Sequence, residues 1–272
     1  MNPSTEFRQG ELVDALGHHH RPDPQARIVS LVPSITEMLC DFGLAPRLVG
    51  RTGFCIHPRA TVAAIPKVGG TKDVNIEKIR RLAPTHVVVN IDENEKPTVE
   101  HLAEFVPNIV VTHPNAPRDN LALARLLGGI FGAGETAARW CAAFEAEYAA
   151  LRARPPGPAR TVLYCIWQDP WMTVSEGTYI AAMLAELGWQ VPALDAARYP
   201  RFAWSQDLVD GLDAVLLSTE PYRFTQAHAD ALEKQLGIPV LLVDGEMMSW
   251  YGARALEGLR YLRELRKMLE GG

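Results

Sequence analysis

The chain has 272 residues, 47% hydrophobic and 22% charged, with 27 basic against 32 acidic side chains and a formal charge of -5. That length suffices for one large domain or two small ones with a substantial core. The mildly acidic balance excludes a long nucleic-acid surface and a basic membrane patch, and no window is long and apolar enough to insert in a bilayer. The amino terminus lacks a basic segment followed by an apolar run, so it does not read as a secretory signal. The expectation is a cytoplasmic chain, or a periplasmic one only if a leader has been removed. Cys40, Cys55, Cys141 and Cys165 lie far apart with no CxxC pair, and a chain of this size needs no disulfide staples.

Residues 1–26 read as a flexible, polar, proline-flanked lead-in. His18, His19 and His20 within it are either a weak metal-binding tract or part of a loose arm. Residues 28–32 form a short apolar run. The helical pattern ITEMLCDFG follows, with Ser34 and Glu37 spaced as a capping box and Gly43 as the stop. A second strand covers 48–50. No GxGxxG follows the first strand, so the turn is not a dinucleotide fingerprint. The loop Arg51-Thr52-Gly53-Phe54-Cys55-Ile56-His57-Pro58 leaves the second strand, where open α/β sheets place ligands. KVGGT is a turn, and Asn75 caps a helix ending at Leu82. A strand at 86–90, a helix at 98–105, a strand at 108–112 ending on His113-Pro114 and a helix at 118–131 complete the first half.

The bulky residues Trp140, Phe144, Tyr148 and Leu151 fall four, four and three apart in an alanine-rich stretch. This spacing predicts a helix over 135–151 with one apolar stripe. It ends at Arg154-Pro155-Pro156-Gly157-Pro158, where proline cannot continue a helix. The second half repeats the strand–helix alternation. It opens with a strand at 161–166, the loop WQDPWMTVSEG, a helix at 178–187 stopped by Gly188, and an irregular aromatic stretch at 189–206. A helix at 205–210, a strand at 214–218, the loop TEPYRF, a helix at 225–236 and a strand at 239–243 come next. A long helix then runs from Ser249 to about Leu269. The expected fold class is α/β: two lobes, each with a central, mostly parallel sheet, joined by one long backbone helix. The lobes are placed at 27–132 and 159–270, with the linking helix at 133–154.

Aromatic residues in the loops are the sharpest functional signal: Phe54, Trp167, Trp171, Tyr222 and Trp250. Large rings offer rigid apolar area of the kind a flat or macrocyclic ligand requires. Cys55 and His57 sit two apart on one loop, and His113 ends another strand. Thiolate with imidazole suits zinc, copper or an axial contact to a chelated metal. The same pair is open to a nucleophile–base reading, or to a buried thiol beside a hydrogen-bonded histidine. Asp169, Asp244 and Glu246 are loop carboxylates able to accept hydrogen bonds from amide-bearing ligand edges. Glu77, on a short helix, reads most simply as surface charge.

The order RIVSLVPSITEMLCDFG, LVGRTGFCIHP, KVGGTKDVNIEKIRRLAPTHVVVN resembles the vitamin-B12-binding, class III periplasmic-binding-protein-like receptors of ABC importers. These helical-backbone metal receptors also include ferric-siderophore and haem binders. The resemblance continues through YCIWQDPWMTVSEGTYIAAMLAELG, AVLLSTEPYRF and LLVDGEMMSWYGARALEGL, and so covers 27–269. It implies a ligand held between two lobes, with Phe54, Trp167 and either Trp204 or Trp250 against a corrin ring. It also implies one exposed acid per lobe that docks a transporter: Glu77 in the first, Asp207 or Glu220 in the second. The expected ligand is cobalamin or a related corrinoid, with an iron chelate or haem as the alternative. The partner is then a transporter or a corrinoid-handling enzyme. A Cys55/His57-dependent enzyme, or a regulatory protein with no ligand, stands as the competing class.

Overall fold

The computed structural model describes residues 12–153 and 157–270. Residues 1–11 of the lead-in and the Arg154-Pro155-Pro156 part of the expected break lie outside the described residues. The chain divides into two compact units. One takes the residues up to His113 together with Leu121–Cys141; the other takes Pro114–Asn120 and the residues from Ala142 onward.

The first unit is built on β1 (Ile28–Ser30), α1 (Pro33–Asp41), β2 (Leu48–Arg51), α2 (Arg59–Val62), α3 (Ile76–Leu82), β3 (His86–Asn90), α4 (Lys96–Ala103), β4 (Asn108–Thr112) and most of α5 (Asp119–Phe131). Its four strands run in the order β2-β1-β3-β4, and every pairing is parallel. Parallel strands need crossover connections, and helices supply them. Val29, Val87, Val89 and Val111 pack with Ile79 of α3 and Leu102 of α4 in one buried cluster. A sheet covered on both faces reads as continuous apolar runs, as HVVVN and NIVVT do. Asn75 caps α3, its side chain accepting the Lys78 N–H at 2.8 Å. The α1 start differs from expectation: Pro33 occupies the first turn, Val32 is the cap residue, and no side chain caps. Proline's fixed φ and missing donor suit that position without help from Ser34.

The lead-in also departs from expectation, since residues 12–26 are built into the first unit. Leu12 packs so closely on α5 that a Cβ at Gly129 would collide with its Cδ2, and Pro24 crowds Gly132 in the same way at 2.8 Å. The Ala15 N–H donates to the Val111 carbonyl at 2.9 Å, and the Val111 N–H donates to Asp14 Oδ2 at 3.0 Å. His18 Nδ1 and His20 Nε2 lie 3.2 and 3.3 Å from that same oxygen. These histidines therefore hold a buried carboxylate rather than wave from a loose arm. Burial pushes the Asp14 carboxyl up, but hydrogen bonds from Val111, His18, His20 and Leu16 outweigh it and leave it below the usual range.

Helix α6 (Gly134–Arg152) carries the expected stripe, with Trp140, Phe144 and Leu151 buried. The second unit then contains β5 (Arg160–Trp167), β6 (Met172–Thr173), α7 (Tyr179–Ala185), β7 (Trp189–Gln190), α8 (Gln206–Asp210), β8 (Ala214–Ser218), α9 (Gln226–Leu236), β9 (Val240–Val243), α10 (Gly245–Ser249) and α11 (Ala255–Glu270). The main path is β6-β5-β8-β9, with β7 paired to the start of β5. β5, β8 and β9 are parallel, while β6 folds back antiparallel on β5. Three readings change here. The loop WQDPWMT contains a hairpin, the stretch after Gly188 opens with a strand, and the last helix is broken. Trp250 ends α10, and a 3-10 turn at Gly252–Arg254 precedes α11.

Candidate functional site

In each parallel sheet the loops that leave the carboxyl ends of the strands emerge along one edge. On the first unit this edge carries three exposed apolar side chains: Phe54 and Ile56 after β2, and Ile91 after β3. The Phe54 ring rests over a glycine, since a Cβ at Gly70 would lie 3.3 Å from its Cε2. Beneath the ring the loop is fixed by buried polar groups. Arg51 is buried and donates from Nε to the Val62 carbonyl at 2.7 Å and from Nη1 to the Thr52 carbonyl at 3.0 Å. Asn94 joins three segments: its Oδ1 accepts the Asn90 N–H at 2.9 Å, and its Nδ2 donates to Thr71 O at 2.9 Å and Leu31 O at 3.3 Å.

Cys55 points the other way from its neighbour Phe54. It is fully buried; the Thr36 hydroxyl donates to its Sγ at 3.0 Å, and Thr52 Oγ1 lies 3.1 Å away. Burial pushes its thiol up, outweighing the threonine hydrogen bonds. Enclosed between the two threonines, the thiol presents no exposed face on this edge, which departs from the ligand and nucleophile roles expected of Cys55. His57 is half-buried and precedes Pro58. His113, after β4, has Nε2 3.4 Å from Asp92 Oδ2. Among the described residues no three His, Cys, Asp or Glu side chains converge as metal ligands, so Cys55, His57 and His113 do not form the expected trio.

The second unit's edge is aromatic. Trp167, at the end of β5, is 40% exposed and meets Tyr222 edge-on with ring centroids 5.5 Å apart. Trp171 stacks on Phe224 at 5.8 Å and meets Trp204 edge-on at 5.4 Å. Phe202 joins them, 5.1 Å from Trp204. Trp171, Trp204 and Tyr222 pack on a buried cluster that contains Phe224 and Leu217. The rings expected to face a ligand thus divide. Phe54 and Trp167 are exposed, while Trp171 and Trp204 belong to a stacked raft that supports the edge.

Asp169 is exposed, with φ of 60°. Asp244 is also exposed; it caps α10 by accepting the Met247 N–H at 3.2 Å. Glu246 is paired with Arg254. The indole of Trp250 donates from Nε1 to Glu220 Oε1 at 2.5 Å. Burial pushes the Glu220 carboxyl up, and the negative charges of Glu246 and Asp244 add to the effect. Engaged in this way, Glu220 is not the free surface acid a docking role requires. Asp207 is exposed in the first turn of α8. Glu77 is exposed in the first turn of α3, 3.6 Å from Arg80.

Sequence reasoning missed three contributors. Asn94 sits in a polar loop with no pattern to single it out. Asn120 is buried, donating to Tyr179 Oη at 3.0 Å and accepting the Gly252 N–H at 2.6 Å. Arg254 places its guanidinium 4.8 Å from the Trp250 ring centroid.

Each unit is an α/β layer on a mostly parallel sheet, with the loops described above at its carboxyl edge. Residues 28–207 match the family described as periplasmic binding protein, and the chain belongs to that family. Solved structures agree in fold. The periplasmic vitamin B12 binding protein BtuF of Vibrio cholerae is 19% identical with a TM-score of 0.75, covering 92% of this chain and 100% of its own. The periplasmic heme-binding protein RhuT from Roseiflexus sp. RS-1 is 21% identical with a TM-score of 0.74, covering 91% and 98%. The periplasmic heme binding protein HutB of Vibrio cholerae is 19% identical with a TM-score of 0.70, covering 90% and 99%. No curated protein matches the chain. No helix among the described residues is long and apolar enough to cross a membrane.

Proposed function

We propose that the chain binds a metal-containing chelate without transforming it, a cobalamin-like corrinoid in first place. The observation that carries this reading is the pair of exposed rings, Phe54 on the loop after β2 and Trp167 at the end of β5, each at the carboxyl edge of its sheet. Flat rings on rigid loops suit a macrocycle, and the similar folds include binders of vitamin B12 and of haem. The donor set favours the corrinoid. Cys55 is enclosed by two threonines, and a corrinoid, unlike haem, can carry its own lower axial base. The charge balance points the same way. The second unit's edge holds two exposed carboxylates, Asp169 and Asp244, while Glu220 and Glu246 are engaged by Trp250 and Arg254. Carboxylates there accept hydrogen bonds from peripheral amides and repel the carboxylates of haem. An iron chelate or haem is the second reading, with His57 as the axial donor. In either case the family membership supports delivery to a transporter, with Glu77 and Asp207 as the docking acids.

The test is parallel titration with aquocobalamin and haemin, followed by gel filtration and visible spectra. Co-elution with aquocobalamin alone supports the corrinoid; retention of haemin alone transfers the reading to haem. Retention of neither overturns chelate binding. Cys55→Ala leaves the visible spectrum of the complex unchanged; a shifted spectrum would return the thiol to the metal.

A further inference from the structure

The Trp250 indole is held from two directions. Its edge donates to Glu220 at 2.5 Å, and the Arg254 guanidinium lies 4.8 Å from the ring centroid. Arg254 is itself tethered, paired with Glu246, whose carbonyl accepts the Trp250 N–H at 2.9 Å. Glu220 is equally fixed. The Ser218 hydroxyl donates to its carbonyl at 2.5 Å, and the start of α10 presses on it. A Cβ at Gly245 would lie 2.6 Å from Glu220 Cγ and 2.5 Å from Ser218 Oγ. Only glycine permits that approach.

This arrangement is costly where stability alone is at stake. Burial and the like charges of Glu246 and Asp244 disfavour the Glu220 carboxylate, and the hydrogen bonds from Trp250 and Ser249 offset this only in part. Trp250 is only half-buried, so part of its ring faces solvent. What the carboxylate does secure is a single orientation of a large, partly exposed ring, on the same edge of the second unit as Trp167. We propose that Glu220 and Arg254 are positioning residues, which lock the Trp250 indole as a preformed stacking surface for a planar chelate. The inference rests on the chelate-binding reading above. Fixing a side chain before the ligand arrives removes an ordering cost equivalent to about threefold to tenfold in Kd.

The experiment uses the full chain and aquocobalamin, with Kd measured for the wild type, Trp250→Ala, Glu220→Ala, Glu220→Gln and the Trp250→Ala/Glu220→Ala double variant. Trp250→Ala weakens binding about tenfold, and Glu220→Ala about threefold to tenfold. The double variant is no weaker than Trp250→Ala alone, because Glu220 acts through the ring. Glu220→Gln, whose amide oxygen still accepts the indole N–H, restores wild-type affinity. In ligand-free protein the fluorescence assigned to Trp250, as the wild type minus Trp250→Phe, red-shifts in Glu220→Ala and not in Glu220→Gln. Unchanged affinity in Glu220→Ala, or additive losses in the double variant, overturns the positioning role while chelate binding stands. If the wild type retains neither aquocobalamin nor haemin, chelate binding fails and the inference falls with it.

Discussion

In the first unit, the loops at the carboxyl edge are held from below by short polar side chains. Asn94 ties three segments, Arg51 holds two carbonyls, and two threonines enclose the Cys55 thiol. In the second unit the same task falls to stacked rings, with Trp171 on Phe224 and Trp204 and Phe202 beside them. A hydrogen-bonded scaffold fixes direction sharply but tolerates no missing partner. A ring raft supplies apolar area and fails by leaving a hole. The difference also shapes what is presented outward: aliphatic side chains around one ring on the first edge, rings and carboxylates on the second.

The largest expected effect attacks the raft. Phe224→Ala removes a fully buried ring and lowers stability by about 3–5 kcal/mol, read by chemical denaturation. A loss below about 1 kcal/mol would mean the rings do not act as one support. Asn94→Ala attacks the polar scaffold and costs about 2–3 kcal/mol, and Asn94→Asp does not restore it because the carboxylate cannot donate to Thr71 and Leu31. Full rescue by aspartate would show that the donated bonds are dispensable. Trp167→Ala sharpens the contrast between support and surface. The ring is 40% exposed, so under the proposed function aquocobalamin affinity falls about tenfold, about 1.4 kcal/mol, with little change in stability. Equal affinity by calorimetry would remove Trp167 from the site.

The smallest effect concerns pH. His86 is buried against Phe131, with ring centroids 5.4 Å apart. Burial lowers its pKa below the ordinary 6.5, against the opposing charge of Asp23. The unfolded chain therefore binds the proton first. Stability contributed by neutral His86 is complete above about 6.5 and declines as the pH falls toward the lowered folded value. In His86→Gln that decline is reduced in unfolding curves collected across the window; an identical decline would assign it to other groups.

Much of the architecture was legible because it rests on local chemistry. The runs HVVVN and NIVVT announce buried parallel strands, the α6 stripe announces its helix, and Asn75 announces its cap. The ring-bearing loops were legible for a related reason, as they follow strands. The failures share a physical origin. Whether Cys55 faces solvent or Thr36 depends on a loop's path rather than on a period. Whether Trp171 is surface or raft depends on Phe224, 53 positions away in the chain. The break after Trp250 depends on Asn120 capturing the Gly252 N–H from 132 residues away. Glu220 reads as an exposed docking acid until its indole partner is placed.

The Asp14 contact has a practical side. β4 ends its sheet, and an open strand edge invites pairing with another molecule. Here the Val111 N–H and carbonyl are both engaged by the lead-in, through Asp14 Oδ2 and the Ala15 N–H. Trimming the chain past Ala15 would uncover that edge, and the purified protein would become sticky: concentration-dependent oligomers, falling yield and a tendency to precipitate. Tags and fusions are therefore better joined ahead of residue 12, where the seal survives.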